Sequence, residues 1–416
     1  MGNLAILYAL GEDYEKAEPL KIEALTLSKE SLGLKHPDTI GSMNNLAMLY
    51  YSLGQYKKAE PLLIDTLFLY KEILGHMHPD TLITMNNLAL LYQEQQQWKQ
   101  ALNLWDEYLT FSNQFLDHVL WGAGEKTRLS YIQQEEFNRN NLLSLYRHLI
   151  TEQSKQSGLS SFFSEINPVQ VTQKTWQVSI SRKGLLLRIA SEVSALSKIH
   201  QDNDPQLTHL SEQIKQSRSQ LAALTFSPKP NPKQLADLEE QLNTLQGQLS
   251  AKVSSFGRKT ESVNPEQILS VLTEQQAIVD FLIFKEVDLK TRETKTDQII
   301  ALLADSEQGV QLINLGSLEP VGNLIQAYRS AIEPNSYDKG LGSSKRQQTL
   351  IKTSKALYQK LWQPLAHFLK DKQQVFLIPD GILHLLPFKA LQDEQGQYLN
   401  NQIQLTRLGS ARDIVL

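Results

Sequence analysis

The stretch Asn-Asn-Leu-Ala-Met-Leu-Tyr at residues 44–50 returns 42 residues later as Asn-Asn-Leu-Ala-Leu-Leu-Tyr at residues 86–92. A shortened copy, Asn-Leu-Ala-Ile-Leu-Tyr at residues 3–8, precedes the first by the same step. After each copy comes an aromatic residue six positions past the tyrosine, and then an alanine three positions further on. A fixed period of this length indicates one supersecondary unit stacked on itself, and such arrays present extended binding surfaces.

Each copy predicts two helices, because its apolar residues recur at helical spacing. Gly54 and Gly75 stand where the first and the second helix should end, since glycine accepts the left-handed conformation of a helix C-terminus. His-Pro-Asp-Thr then opens the next unit at residues 36–39 and 78–81. We expect its aspartate, or the threonine that follows, to cap the next helix.

The period and the Asn-Asn-Leu-Ala signature resemble tetratricopeptide repeats of the kinesin-light-chain kind, over about three copies in residues 1–113. This resemblance implies an α-helical solenoid whose first helices line a groove for extended peptides. An asparagine amide can donate to and accept from any peptide unit. The alternative is that the asparagines only tie neighbouring helices together. By motif position, the implied peptide-binding residues are Asn3, Asn44, Asn45, Asn86 and Asn87.

Residues 114–255 are predicted to be helical. Two stretches carry apolar residues at alternating steps of three and four, which is typical of a coiled-coil seam. Between them lies the proline-rich segment 227–233, which is short enough to fold the two helices into a hairpin. The hairpin is interpreted as a structural spacer, with a dimer seam as the alternative. The seam residues are Leu207, Leu210, Ile214, Ser217 and Leu221 in the first stretch, and Leu235, Leu238, Leu242, Leu245 and Leu249 in the second.

The pattern changes in residues 270–416 to short apolar runs rich in β-branched residues. Helical stretches at about 321–332 and 350–368 separate them, so this segment is predicted to be an α/β domain. The glycine- and serine-containing segment 337–346 is predicted to be a flexible loop, because it lacks the spacing of a phosphate-binding loop. The predicted strands are Ala277–Phe284, Ile299–Ala304, Val310–Leu315 and Val375–Ile378.

Three strings in the C-terminal half resemble the CHAT domain, a caspase- and separase-like peptidase family commonly attached to tetratricopeptide arrays in bacteria. They are Arg182–Leu185, Val375–Phe388 with its Pro-Asp-Gly, and Ser410–Asp413. The resemblance covers roughly residues 140–416 and implies a cysteine endopeptidase. The family's catalytic His-Gly and Ser-Ala-Cys, which lie on later strands, are absent, and the chain has no cysteine. We therefore expect an incomplete, caspase-like α/β domain.

No other residue qualifies as a catalytic or metal-binding group. His384 matches a landmark position of the family and is interpreted as structural. Ser410 lacks the Gly-x-Ser-x-Gly setting of a serine hydrolase. His76 and His78 lie at a repeat turn without further ligands, so no metal and no cofactor is expected. Without a thiolate, a caspase-type reaction cannot start.

The composition limits the classes of partner that the chain is expected to bind. The net charge of −4 does not indicate binding to nucleic acid. No apolar run approaches the roughly 20 residues that span a bilayer. We predict a cytoplasmic adaptor that binds a protein or peptide partner through its array, without catalysis. An open sheet edge would allow self-association. The alternative is a fragment of a CHAT-domain cysteine endopeptidase whose histidine and cysteine lie beyond residue 416.

Overall fold

The computed structural model describes residues 14–154, 167–183, 185–200, 204–225, 231–254, 263–288, 293–332 and 343–415. They fall into two compact units, each made of two chain segments. The first unit lies within Met1–Gln134 and Val193–Phe256, and the second within Glu135–Glu192 and Gly257–Leu416. The predictions for Asn3 and for most of the loop 337–346 lie outside the described residues.

The helices and strands have the following bounds. The helices are α1 (Tyr14–Leu32), α2 (Pro37–Ser52), α3 (Tyr56–Ile73), α4 (Pro79–Glu94), α5 (Trp98–Gly122), α6 (Glu125–Ser154), α7 (Pro168–Arg182), α8 (Leu185–His200), α9 (Pro205–Thr225), α10 (Pro232–Ser254), α11 (Pro265–Val271), α12 (Leu318–Ile332) and α13 (Ser343–Leu361). The strands are β1 (Gln276–Val287), β2 (Thr294–Asp305), β3 (Gly309–Ser317), β4 (Gln374–Ile378) and β5 (Gln404–Arg407).

Helices α1 to α5 form the repeat array, and each packs against the next helix in the chain. The repeated alanines are fully buried, as at Ala47 and Ala59, so the helix backbones approach closely. Gly54 and Gly75 have φ angles of +68° and +85°, which confirms the predicted helix ends. Pro61 lies inside α3, which continues through it. The two-helix repeat is therefore confirmed.

The helix caps differ from the prediction. His36 and His78, not the aspartates or threonines, occupy the N-cap positions of α2 and α4, and their Nδ1 atoms accept from the backbone N–H two residues later at 3.2 Å. The proline at the first helical position lacks an N–H and fits there. Thr81 instead donates its hydroxyl to the carbonyl of Gly75 at 2.8 Å. The threonine thus ties the new helix to the preceding turn.

Helices α9 and α10 pack against each other in the first unit, as predicted for a hairpin. The seam residue Leu207 packs within the chain itself. It is fully buried in a cluster with Leu196, Val253 and Leu249. Lys252 of α10 pairs with Asp204 at 3.0 Å across the base of the hairpin. The choice between a structural spacer and a dimer seam stays a prediction.

The second unit contains a five-stranded mixed sheet in the order β3-β2-β1-β4-β5. Strand β1 pairs antiparallel with β2, which pairs antiparallel with β3, while β1, β4 and β5 run parallel. Residues of β1 alternate between two cores. One core packs against α12 and α13, and the other contains residues of α7 and α11. The sheet is therefore covered on both faces, as expected for near-continuous apolar strands.

The four predicted strands are confirmed, but the sequence analysis missed other elements. It did not predict α11 or β5. Within the region 114–255 that was predicted to be helical, α7 ends at Arg182 and α8 begins at Leu185. Ser343–Arg346, assigned to a flexible loop, form the first turn of α13. Lys345 and Arg346 of this turn favour a helix as readily as a loop.

Candidate functional site

The asparagines of α2 and α4 fall into two groups. Asn87 is 8% exposed, and its side-chain amide donates to Oδ1 of Asn44 at 3.2 Å. Asn45 is exposed. Asn86 is half-buried, and its Oδ1 is enclosed without a hydrogen-bond partner in the described part of the chain. One pair thus links neighbouring repeats, while Asn45 and Asn86 keep hydrogen-bonding capacity.

The surface around these amides is apolar and almost uncharged. Ile83 precedes Asn87 by four residues, so it lies on the same helix face, and it is 52% exposed. The charged side chains of α2 and α4 are acidic: Asp38 near the start of α2, and Asp80 and Glu94 near the two ends of α4. The surface therefore suits hydrogen bonds to a peptide backbone better than capture of a free carboxylate.

A second site lies in the sheet-containing unit, where the carboxyl ends of β4 and β5 meet α7. Two of the sequence segments that carry the CHAT resemblance come together here with Gly409, which immediately precedes the third segment. They enclose a cavity of about 240 Å³, which we call the strand-end pocket. Its lining includes Arg139, Arg182, Lys183, Asp380, His384 and Gly409. Carboxyl ends of parallel strands are where open α/β sheets bind ligands.

A buried ion pair forms one wall of this pocket. Lys183 Nζ lies 2.5 Å from Oδ1 of Asp280, with the two side chains 10% and 1% exposed. The other carboxylate oxygen of Asp280 accepts from the Ser179 hydroxyl at 2.8 Å and from the Trp176 indole at 3.2 Å. Burial raises the pKa of Asp280, while the Lys183 ammonium and the Ser179 hydroxyl oppose that shift. The Lys183 ammonium also donates to the carbonyls of Phe281 and Ile378.

Asp380, of the Pro-Asp-Gly string, is held by backbone groups. Its Oδ2 accepts from the N–H of Ile283 at 2.8 Å, and its Oδ1 from the N–H of Gly381 at 3.0 Å. Gly381 has a φ of +47°, and a Cβ there would lie 3.2 Å from Ile283 Cδ1. Glycine therefore suits this turn, and the string is used to bind β4 to β1.

His384 is fixed by Arg407, the last residue of β5. A guanidinium nitrogen of Arg407 lies 2.6 Å from Nδ1 of His384. Because a guanidinium only donates, Nδ1 accepts and the ring proton sits on Nε2. Burial and the nearby Arg407 charge lower the pKa of His384 below its ordinary value. This supports the structural interpretation, since Nδ1 has no capacity left to act as a base.

Ser410 and His78 also have local structural roles. Ser410 is the N-cap of a short 3-10 helix, Ala411–Ile414, and Asp413 closes a reciprocal capping box with it. His78 caps α4 through the ring nitrogen described above. In the described ranges, no group of three or more histidine, cysteine, aspartate or glutamate side chains is placed to hold a metal ion.

The sequence analysis missed three residues of the second site, namely Arg139, Asp280 and Arg407. Arg139 lies in a polar helix without a motif, and Asp280 is one charge within an apolar strand. A single aspartate inside a run such as Ala277–Phe284 signals a buried partner, because an unpaired buried charge is costly. The partner itself, almost 100 residues away, leaves no local signal.

Family models match the two ends of the sequence. A tetratricopeptide-repeat family model matches residues 1–72 and 42–114, and a CHAT-domain model matches residues 352–416. The chain carries tetratricopeptide repeats followed by part of a CHAT domain. The extension of the CHAT resemblance back to about residue 140 stays a prediction.

Among solved structures, similar chains are kinesin-light-chain-like repeat proteins. BtubC (BKLC) from P. vanneervenii is 21% identical over 29% of this chain and 51% of its own, with a TM-score of 0.26. This chain thus spans about half the length of that protein. A Podosopora anserina protein described as a kinesin light chain with nearly identical TPR-like repeats is 19% identical, with a TM-score of 0.30 over 59% of this chain and 93% of its own. No curated protein matches the chain.

Proposed function

We propose that this chain is an adaptor that binds an extended peptide through the face of α2 and α4, and that it performs no catalysis. Tetratricopeptide repeats are protein-interaction modules, which gives the general role. The observation that carries the finer proposal is the enclosed Oδ1 of Asn86. One repeat earlier, the equivalent oxygen of Asn44 accepts from Asn87. Rotation of the Asn86 side chain toward the groove would let a peptide N–H give this oxygen the corresponding bond, which relieves an unpaired buried acceptor.

The chemistry of this face specifies the ligand class. Its amides match peptide units, Ile83 offers an apolar contact, and the charges of both helices are acidic. We infer an extended peptide that is neutral or basic, and salt should weaken the binding of a basic one by screening its charges. In this proposal residues 1–113 bind the partner, 114–255 act as a helical spacer, and 270–416 form the incomplete CHAT-type domain.

The proposal excludes catalysis on chemical grounds. The chain has no cysteine, so it lacks the thiolate that the CHAT resemblance would require. The Ser410 hydroxyl accepts from the backbone N–H of Arg412 as a helix cap, at 3.4 Å. A cytoplasmic location belongs to the same proposal. No described helix is long and apolar enough to cross a membrane.

Peptide selection on the full chain tests the groove. Extended peptides would be selected from a random library, and their affinities measured for the wild type and for Asn86→Ala, Asn45→Ala and Asn103→Ala. Asn86→Ala should weaken binding by about 1–3 kcal/mol, because it removes the acceptor from a desolvated backbone donor. Asn103 is exposed on α5, so Asn103→Ala is the matched control and should bind as the wild type does. Equal affinities of Asn86→Ala and wild type would assign these amides to the scaffold.

A second candidate is favoured by the strand-end pocket, which is assembled from CHAT landmark strings at the carboxyl ends of parallel strands. In that case the chain is a fragment of a CHAT-domain cysteine endopeptidase whose dyad lies beyond residue 416. The nucleotide sequence downstream of codon 416 decides this. An in-frame His-Gly and Ser-Ala-Cys would support the peptidase, and their absence would support the adaptor.

A further inference from the structure

We propose that strand β3 pairs with β3 of a second copy of this chain, so that two sheets join edge to edge in a homodimer. The contact lies in the sheet-containing unit and is independent of the peptide groove of the repeat array. Three features of β3 support it: backbone groups that face outward, the absence of charge, and a register in which the strand pairs with itself.

The two edges of the sheet differ in length and in charge. Strand β3, at one edge, has nine residues, and none of them is charged or a proline. Strand β5, at the other edge, has four residues and ends at Arg407. Short length, charged side chains and proline are means by which proteins keep edge strands from pairing. Strand β5 has two of these protections, and β3 has none of them.

The hydrogen-bond ladder fixes which residues of β3 face the open edge. Gln374 of β4 donates its N–H to the carbonyl of Gln275, so odd-numbered residues at the start of β1 face β4 and even-numbered ones face β2. Followed through the registers of β1, β2 and β3, this alternation turns the backbone groups of Val310, Leu312 and Asn314 away from β2. Within the described ranges, no hydrogen bond from another loop or turn reaches these groups.

The side chains along this edge are largely apolar and only partly covered. Leu312 is half-buried and packs at the margin of the core that contains residues of α7 and α11. Ile313 and Leu315 are also half-buried, at the margin of the core that packs against α12 and α13. A strand added to β3 would extend both cores and remove this apolar surface from water.

A second copy of β3 fits this edge by its own symmetry. In an antiparallel pairing centred on Leu312, that residue lies opposite its own copy, and Val310 lies opposite Asn314. The outward backbone groups then form about six hydrogen bonds, and no like charges oppose each other. The register shift between Ile299 and Ile300 of β2 places a bulge just beyond Asn314, so the paired segment ends there.

Sedimentation velocity of the full chain at about 5–300 µM tests the proposal. The wild type should pass from monomer to dimer in this range, because so short a pairing is smaller than a standard interface. Leu312→Lys and Leu312→Glu should each weaken the dimer about tenfold or more, since two like charges then lie directly opposite each other. An equimolar mixture of the two variants should dimerise again, because the opposed charges now attract.

Gln404→Lys is the matched control. Gln404 is an exposed residue of β5, so the variant adds the same charge at the other edge and should dimerise as the wild type does. Hydrogen-exchange mass spectrometry should show slower exchange in residues 310–314 as the dimer forms, with β1 and β4 unchanged in every variant. If the Leu312 variants do not fold, Asn314→Pro replaces them, because the N–H at this position faces outward and its loss breaks no bond to β2.

Four results would overturn the proposal. They are a wild type that stays monomeric at about 300 µM, a dimer that survives the Leu312 or Asn314 variants, a mixture of Leu312 variants that stays monomeric, and an equal loss in Gln404→Lys. A surviving dimer would place the contact elsewhere, as at the seam of α9 and α10. A monomeric wild type would leave an extended peptide of another protein as the occupant of this edge. No peptide enters these measurements, so their failure leaves the peptide groove untouched, and the reverse also holds.

Discussion

The repeat array and the sheet-containing unit are built from contacts of very different reach along the chain. In the array each helix packs against the next one, and the hydrogen bond between Asn87 and Asn44 joins residues 43 apart. In the other unit Lys183 reaches Asp280 across 97 residues and the carbonyl of Ile378 across 195. A stacked array tolerates local loss because each repeat contacts only its neighbours. The strand-end pocket instead depends on a few side chains that only the assembled sheet brings together.

The largest expected effect is the loss of Lys183. Lys183→Met should lower the free energy of unfolding of the sheet-containing unit by about 3–5 kcal/mol, since it leaves the buried carboxylate of Asp280 without its cation. Hydrogen-exchange mass spectrometry in increasing urea reports each unit separately. The array should keep its protection. Lys360→Met, at an exposed position of α13, is the control. Equal destabilisation by both variants would contradict the role of this ion pair.

Overpacking the array should have a smaller and local effect. Ala59 is fully buried, so Ala59→Leu should cost about 1–3 kcal/mol by forcing α2 and α3 apart. Ala236→Leu, at an exposed position of α10, should change little. The same urea series measures both. Loss of protection in β1 and β4 would break the comparison, because it would show that damage to the array spreads to the sheet.

The link between repeats should be smaller still. A double-mutant cycle with Asn44→Ala and Asn87→Ala should give a coupling energy of about 0.5–1.5 kcal/mol in the unfolding of the array, as for one neutral hydrogen bond. Asn45→Ala is the exposed control. Zero coupling, together with weaker peptide binding in either single variant, would show that Asn44 and Asn87 bind peptide and do not link the repeats.

The smallest effect concerns pH. The folded pKa of His384 lies below its ordinary value, so the unfolded chain binds more protons as the medium becomes acidic. The stability that His384 contributes is therefore complete above pH 6.5, its ordinary pKa, and is lost as the pH falls through the lowered value. His384→Gln should flatten this part of the pH dependence, measured by urea unfolding between pH 7 and 5. An unchanged slope in His384→Gln would assign the dependence to other groups.

The repeat could be predicted in detail because its signals are local and occur more than once. Gly54 and Gly75 mark helix ends by their own conformational freedom, and the buried alanines recur at the same step. The predicted N-caps were wrong. His36 and His78 occupy these positions and accept through a ring nitrogen, and histidine is a less common cap than aspartate or threonine. In the array, then, the errors concern single side chains and not the fold.

The sheet was predictable only in part. Long apolar runs identified β1 to β4, whereas β5 is four residues long and carries polar residues at both ends, so periodicity could not find it. Each of the strings around Lys183 and Asp380 was found in the sequence. Their proximity in the fold was not predicted, because it depends on strand order and on which face of the sheet α7 covers. Arg139 enters the pocket from a helix without any motif.

The division of each unit into two chain segments has a consequence for synthesis on the ribosome. Trp176 is fully buried, and its indole donates to Asp280, which follows 104 residues later. At about 5–20 residues per second, the nascent helix waits roughly 5–20 s before its partner strand is made. During that interval the intervening residues of Val193–Phe256 complete the first unit. Until β1 is synthesised, the large indole has no core to pack into. We expect chaperones to protect the nascent chain during this interval.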